Sequence, residues 1–163
     1  MIVIKNTQRK FKINTERLKK TAQTVLDELG YKDFDLGMLL TNNKTIHGYN
    51  KQYRDKDKPT DILSFPYYQL EPGKRIPFNV EEDERNVGDL IVSIEFVNGI
   101  LPLYDVTLEE RLDTLIIHGI CHLLGYSHYD EKNDKIMSAL EKKLAKKLAG
   151  ENRLVQVQQR DAC

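Results

Sequence analysis

The sequence has few cysteines, no long apolar run and no excess of either charge, and each scarcity excludes a class of protein. Cys121 lies inside a histidine-rich motif and Cys163 ends the chain, so we expect no structural disulfide and a reducing, intracellular compartment. No apolar run approaches the ~18–20 residues of a membrane span. The N-terminus also lacks the pattern of a secretory signal. We therefore expect a globular protein that has no membrane partner.

The charges of the chain cancel, with 25 basic and 25 acidic residues. A protein that binds nucleic acid over a broad surface usually carries a basic excess, which this chain lacks. Local basic runs remain at residues 9–20, 51–58 and 142–147, with an acidic run at 81–84. Charge runs are more often solvated faces than binding sites. Any nucleic acid must therefore be held by a local patch.

The apolar pattern predicts that this chain of 163 residues forms one α+β domain, with a mixed sheet of about four strands packed with helices. The predicted strands are residues 2–5, 34–40, 60–65 and 89–96, and the predicted helices are 14–29, 43–54, 108–124 and 131–148. Asn14 or Thr15 can cap the first helix, and Thr107 with Glu110 forms a capping-box pattern before the third. The predicted inward residues of the last helix are Ile136, Leu140, Leu144 and Leu148. The domain is expected to span residues 1–148, followed by a flexible tail at 149–163. The long polar segment at 67–87 is expected to be functional or mobile.

Three of the four histidines lie within residues 118–128. On a helix, His118 and His122 lie one turn apart, within about 40° of each other around the axis. Gly125 can end that helix in a left-handed turn and so return His128 to the pair. The apolar stripe of the same helix faces nearly the opposite way; it comprises Leu112, Ile116, Ile120 and Leu123. Three imidazoles with an open fourth position predict a catalytic site for one Zn²⁺ ion.

Two neighbours of the motif allow alternative interpretations. Cys121 lies on the flank of the histidine face and is a possible ligand, but we favour a buried thiol that packs as a small hydrophobe. Asp130 can orient a histidine ring or cap the last helix, and we favour the cap.

The spacing of the histidines matches the motif of the metzincin metalloproteases, which carry a glutamate general base after the first histidine. Here that position is Gly119, which has no side chain to accept a proton. Zinc can still lower the pKa of bound water to about 7. Peptide hydrolysis must also protonate a poor amine leaving group, however, so a phosphodiester suits the site better.

A candidate cation for such a substrate lies in a second segment, residues 50–66. Arg54 presents a planar, permanently charged guanidinium that suits phosphate. The alternative is a surface arginine at a helix end, where the helix dipole favours a positive charge. The sequence leaves both interpretations open.

Together these two segments resemble the YbeY endoribonuclease family. Residues 118–128 are similar to the pattern His-Gly-x-x-His-Leu-x-Gly-Tyr-Asp-His, with Ser127 in place of the aspartate. Residues 50–65 are similar to Asn-x-x-Tyr-Arg leading into Pro-Thr-Asp-Val-Leu-Ser-Phe. The resemblance runs from about residue 3 to 148; smaller matches are 88–90, Met137 and Glu141.

The resemblance implies a single-strand-specific, metal-dependent endoribonuclease that acts in ribosomal RNA maturation, notably at the 3′ end of small-subunit RNA, and in ribosome quality control. It implies His118, His122 and His128 as ligands of one Zn²⁺, Arg54 and His118 as catalytic residues, and a metzincin-like arrangement of the site. Expected partners are single-stranded ribosomal RNA and ribosomal or small-subunit proteins, but not DNA. The expected location is cytoplasmic in a bacterium and mitochondrial, or in another organelle, in a eukaryote.

Two other functions are kept as alternatives. One is a zinc-dependent hydrolase of the peptidase or amidase type. The other is a non-catalytic ribosome-assembly factor in which zinc has a structural role.

Overall fold

The computed structural model describes the backbone of residues 1–161 and the side chains of residues 1–152. Over residues 1–161 the chain forms four strands and five α-helices. In chain order they are β1 (Ile2–Asn6), α1 (Thr15–Glu28), β2 (Asp35–Thr41), α2 (Asn43–Arg54), β3 (Ile62–Pro66), β4 (Asn86–Ser93), α3 (Ile94–Ile100), α4 (Leu108–Leu123) and α5 (Glu131–Asp161). Within that range no helix is long and apolar enough to cross a membrane.

The four strands form one mixed sheet in the order β1-β2-β4-β3. The β1–β2 and β2–β4 pairs are parallel, whereas β3 runs antiparallel to β4 at the edge of the sheet. This arrangement confirms the predicted single-domain α+β fold with a mixed sheet of four strands. The antiparallel edge places β3 directly beside α4, which carries the histidines.

Alternate residues of β4 face two layers of the core. Leu90 and Val92 are buried in the main cluster, beneath α1, α4 and α5. Ile91 faces the other way and packs with Leu63 of β3 and Ile46 of α2. Because side chains alternate across a strand, the sheet separates α2 from the helix that carries the histidines.

The two best-marked helix starts are formed as predicted. Asn14 accepts a hydrogen bond of 3.0 Å from the backbone of Arg17 at the start of α1. At the start of α4, the Thr107 hydroxyl accepts from the Glu110 backbone at 3.2 Å, and the Glu110 carboxylate accepts from the Thr107 backbone at 2.8 Å. This reciprocal capping box satisfies two N–H groups that would otherwise lack partners.

The predicted strand at 89–96 is wrong at both ends. The strand begins at Asn86 and ends at Ser93, and α3 follows at once. The Ser93 hydroxyl accepts from the backbone of Phe96 at 3.2 Å, which caps α3, and it donates to Asn43 at 2.8 Å. Apolar residues keep alternating through Phe96, so the pattern predicted a strand that continues past Ser93. The helix cap at Ser93 ends the strand there and is not visible in the alternation.

The predicted end of the last helix near Leu148 is also wrong, because α5 continues to Asp161. No proline follows Leu148, and Thr24 of α1 donates a hydrogen bond of 2.8 Å to Glu151. The tail predicted at 149–163 is thus helical to residue 161, and residues 162–163 lie outside the described part. One predicted inward residue of α5 is also wrong: Ile136 is 42% exposed, and Met137 is fully buried in its place.

Segment 67–87 packs onto the domain at several points, two of which bear on the site. Ile76 is buried, and its backbone donates to the Tyr31 hydroxyl at 3.3 Å. Leu70 lies against Gly125, the glycine that follows α4. The segment therefore supports the turn on which the third histidine depends.

Candidate metal centre

Helix α4 and the turn after it bring three histidines together. His118 and His122 lie one turn apart near the C-terminal end of α4. Gly125 has φ +89°, and a Cβ there would lie 2.3 Å from the main-chain oxygen of Leu70. Only glycine fits this close, left-handed turn, which returns the chain toward α4. One ring nitrogen from each of His118, His122 and His128 then lies within 4.8 Å of the other two.

Each of the three histidines donates the proton of its Nδ1 to an oxygen. The three pairs are His118 with Glu141 Oε1 at 2.7 Å, His122 with the main-chain oxygen of Tyr126 at 2.9 Å, and His128 with Asp134 Oδ1. Carbonyl and carboxylate oxygens only accept, so the ring proton lies on Nδ1 in each case. In the neutral ring the other nitrogen, Nε2, then has a free lone pair.

The donor set fits a bound cation. Nε2 of His118 and Nε2 of His122 lie 3.0 Å apart. When both rings are neutral, two lone pairs at this separation repel each other, and a cation bound between them would remove that repulsion. Hydrogen bonds from Nδ1 to carboxylates or carbonyls are the usual support of metal-binding histidines.

The local electrostatics keep His122 neutral. Burial lowers the pKa of His122, and the charges of His118, His128 and Arg54 lower it further, while the Tyr126 carbonyl opposes the shift. A neutral imidazole is the form that binds a metal ion. The contribution of Arg54, the smallest of these, indicates that the end of α2 lies near the histidine group.

Arg54 is the last residue of α2 and is solvent-exposed. The chain turns immediately after it, because Asp55 has φ +55°. Among the described residues Arg54 forms no ion pair, so its guanidinium is free to meet an anion. The fourth histidine, His47, instead lies 2.7 Å from Asp57 and does not join the group.

The interpretations favoured for Cys121 and Asp130 are both confirmed. Cys121 is fully buried in the main core cluster, and burial raises the pKa of its thiol to about 12. Asp130 accepts from the backbone of Asn133 at 2.8 Å and so caps α5. The residues that contact the rings are Asp134 and Glu141, and sequence reasoning did not assign them this role. Their spacing of seven, two helical turns on one face of α5, is the signal that was available.

Gly119 lies against the sheet rather than at the metal centre. A Cβ at this position would lie 2.8 Å from Leu90 Cδ2 and 2.9 Å from Ile62 Cδ1. The absence of a side chain therefore lets α4 approach β3 and β4 closely. A glutamate here would have to displace these core side chains.

With this geometry established, the chain can be compared with known proteins. The family model described as Endoribonuclease YbeY matches residues 3–149. The chain belongs to the YbeY endoribonuclease family. An Endoribonuclease YbeY from Sulfurihydrogenibium is 36% identical over 140 residues, covering 85% of this chain and 86% of the relative. The human Endoribonuclease YbeY is 33% identical over 141 residues, covering 86% of this chain and 84% of the relative.

A solved structure agrees with the fold. The solution structure of TM1509 from Thermotoga maritima has a TM-score of 0.63 and 29% identity, and the match covers 94% of this chain and 92% of that one. YbeY proteins are endoribonucleases, so the predicted enzyme class, a hydrolase that acts on RNA, is confirmed by family membership. The group of His118, His122 and His128 could hold a metal ion.

Proposed function

We propose that this chain is a zinc-dependent endoribonuclease that cuts single-stranded RNA. In this proposal His118, His122 and His128 hold one Zn²⁺ through Nε2, and Arg54 and His118 are the catalytic residues. The observation that carries it is the convergence of one ring nitrogen from each histidine, with Nδ1 of each ring bonded to an oxygen, so that Nε2 is the nitrogen left to bind a metal. Three nitrogen ligands leave one position open, as catalytic zinc sites do.

The bound ion, His118, Arg54 and the nearby lysines would each have a separate role in RNA cleavage. When bound, zinc would supply a Lewis acid and a water of lowered pKa. His118 contributes by holding that ion, with its ring fixed by Glu141. Arg54 would bind the phosphate that is cut and stabilise the negative charge that develops on it. The exposed lysines among residues 51–58 would add a salt-dependent contact to the RNA backbone.

Ribosomal RNA is the proposed substrate, with small-subunit RNA and its proteins as partners. The support is family membership, together with the exposed lysines among residues 51–58, which lie in the same segment as Arg54. The domain would be residues 1–148. Its compartment would be the cytoplasm of a bacterium or the mitochondrion of a eukaryote. The peptidase alternative is disfavoured, because the position of the protease glutamate is Gly119, packed against Leu90 and Ile62.

The first test pairs metal analysis with cleavage. We expect the purified protein to contain about one zinc per chain and to cut an end-labelled single-stranded RNA, but neither the same RNA in a duplex nor casein. The variant His118→Ala with His122→Ala should lose both metal and cleavage. Full RNA cleavage by this metal-free variant would refute the metal mechanism, and casein cleavage by the wild type would favour the peptidase.

The second test concerns Arg54. The Arg54→Glu variant should keep its zinc and its melting temperature but lose RNA turnover by about 100-fold or more, the scale of losing one preorganised charged donor. Lys44→Glu is the matched control, since Lys44 is an exposed residue near the other end of α2. If both variants lose the same activity, Arg54 acts only through net charge.

A further inference from the structure

A cavity of about 220 Å³ adjoins the metal centre and has no role in the mechanism above. It lies between α4, α5 and the start of β3, and His118 forms part of its wall. The other side chains used below are Asp61, Ile62, Arg111 and Ala145. The cavity is smaller than the ~300 Å³ at which pockets for drug-sized ligands begin. It therefore has room for one small flat group.

Arg111 is held in this wall with most of its hydrogen-bonding capacity unused. Its side chain is 16% exposed, and its guanidinium lies 4.1 Å from the centre of the Tyr104 ring. A guanidinium has five N–H donors. Within residues 1–152 Arg111 makes one side-chain hydrogen bond, a long one of 3.4 Å to the Tyr104 hydroxyl, and its buried Nε has no partner. A buried donor without a protein partner costs stability unless another group accepts from it, so this wall can receive the acceptor atom of a ligand.

Asp61 provides the complementary acceptor across a gap. Its Oδ1 accepts a hydrogen bond of 2.7 Å from the backbone of Ile62, which fixes the carboxylate. Its Oδ2 lies 3.9 Å from Arg111 Nη2, too far for a hydrogen bond. The two groups thus form a loose ion pair in which Arg111 and Asp61 make no hydrogen bond to each other.

We propose that this cavity is a subsite for one nucleobase of the RNA strand, with Asp61 accepting and Arg111 donating hydrogen bonds to its edge. The proposal rests on the endoribonuclease function proposed above. A phosphate is a poor occupant, because the carboxylates of Asp61 and Glu141 line the same cavity. Every base carries donors and acceptors side by side on its Watson–Crick edge, and unpaired RNA exposes that edge.

The shape and place of the cavity support this occupant. Ile62 and Ala145 provide apolar walls for a flat ring. His118 belongs to both the cavity and the metal centre, so a base held here lies beside the phosphate that is cut. Such a subsite would align an unpaired strand and exclude a duplex, whose base edges are occupied.

The experiment uses a single-stranded oligonucleotide with one cleavage position and a series in which each flanking nucleotide in turn is made abasic. For the wild type, one abasic position should raise KM about tenfold, the size of one good pair of base contacts. For Arg111→Gln and for Asp61→Asn, removal of that same base should raise KM less than twofold, because the variant has already lost the contact to the base.

Two further variants complete the design. Ala145→Phe fills the cavity from an exposed helix position, so it should fold normally and also erase the penalty of the abasic position. Lys19→Gln removes one positive charge from α1, away from the cavity, and should leave the wild-type pattern intact. Equal abasic penalties in the wild type and all variants would overturn the subsite.

A measurement of RNA binding without cleavage tests the subsite independently of the proposed endoribonuclease function. The affinity of the full protein, stripped of metal with EDTA, is measured for the same oligonucleotides by fluorescence anisotropy. An abasic penalty of about tenfold that Arg111→Gln removes would support the subsite even if no RNA is cut. Absence of cleavage by the metal-loaded wild type contradicts the proposed function alone, whereas absence of any abasic penalty in binding contradicts the subsite.

Discussion

At the scale of single residues, the oxygen that each Nδ1 contacts fixes the orientation of the histidine ring. Glu141 and Asp134 of α5 fix the rings of His118 and His128, and the Tyr126 carbonyl fixes His122. These contacts select one tautomer for each ring. The affinity of the site for metal should therefore depend on residues that do not bind the metal themselves.

Glu141→Ala should weaken zinc binding by about 10–100-fold, the usual effect of removing the hydrogen-bond acceptor of a ligand histidine. The measurement is competition with a chromophoric chelator. Glu131→Ala is the control, since Glu131 lies on the same helix and pairs with the exposed Lys135 at 2.9 Å. Unchanged zinc affinity in Glu141→Ala would mean that Glu141 does not support the site.

Cys121 should be unreactive in the folded protein, although it is adjacent to His122. Burial raises its pKa to about 12, so at pH 8 the group is a neutral thiol rather than the reactive thiolate. In a Cys163→Ser background, iodoacetamide at pH 8 should modify Cys121 only after denaturant is added. Rapid labelling of the native protein would place this thiol at the surface.

At the scale of elements, the close contact between α4 and the sheet positions the site. Gly119 faces Leu90 of β4 and Ile62 of β3, and the Ser64 hydroxyl lies 3.4 Å from the main-chain oxygen of Gly119. A larger residue at 119 would push α4 away from the sheet. The histidines lie on either side of this glycine, so they would move with the helix.

Gly119→Ala should lower the free energy of unfolding by about 1 kcal/mol, because overpacking of about 1–3 kcal/mol exceeds the gain in helix propensity of about 1 kcal/mol. Urea denaturation measures this change. Gly48→Ala is the matched control, since a Cβ on Gly48 of α2 has no neighbour within 4 Å. That substitution should raise the free energy of unfolding by about 0.5–1 kcal/mol. Equal effects of the two substitutions would refute the close contact at 119.

At the scale of the whole molecule, the extent of the core predicts that the fold forms without the metal. The main core cluster joins the sheet to α1, α4 and α5 and extends far beyond the histidines. His118 and His128 are about one-third exposed, at 32% and 35%. Their site therefore lies at the edge of a core that is already complete.

Removal of zinc with EDTA should leave a cooperative unfolding transition and lower Tm by about 5–10 °C, the effect of a ligand present at ~100 times its Kd on a domain of this size. Circular dichroism melts with and without chelator measure this shift. Loss of the cooperative transition would favour the structural-zinc alternative, since structural zinc sites supply much of the folding energy.

Local sequence patterns were sufficient to predict much of the fold. The predicted bounds of α2 and the capping box of α4 agree with the structure because both depend on residues adjacent in the chain. The prediction was wrong at Ser93 and beyond Leu148, where contacts with Asn43 and Thr24 determine the outcome. Partners distant in the chain leave no periodic signal.

The sequence by itself determined that three histidines and a turn-forming glycine share one short motif. Helical periodicity was enough to place His118 and His122 on one face of a helix. Only the tertiary structure decided which groups surround them. Helix α5 returns to place Glu141 behind His118, and α2 ends where the charge of Arg54 reaches His122. The cavity between Asp61 and Arg111 likewise exists only because β3, at the edge of the sheet, packs against α4. The physical reason is that side-chain identity is local, whereas distance between elements is fixed by packing of the core.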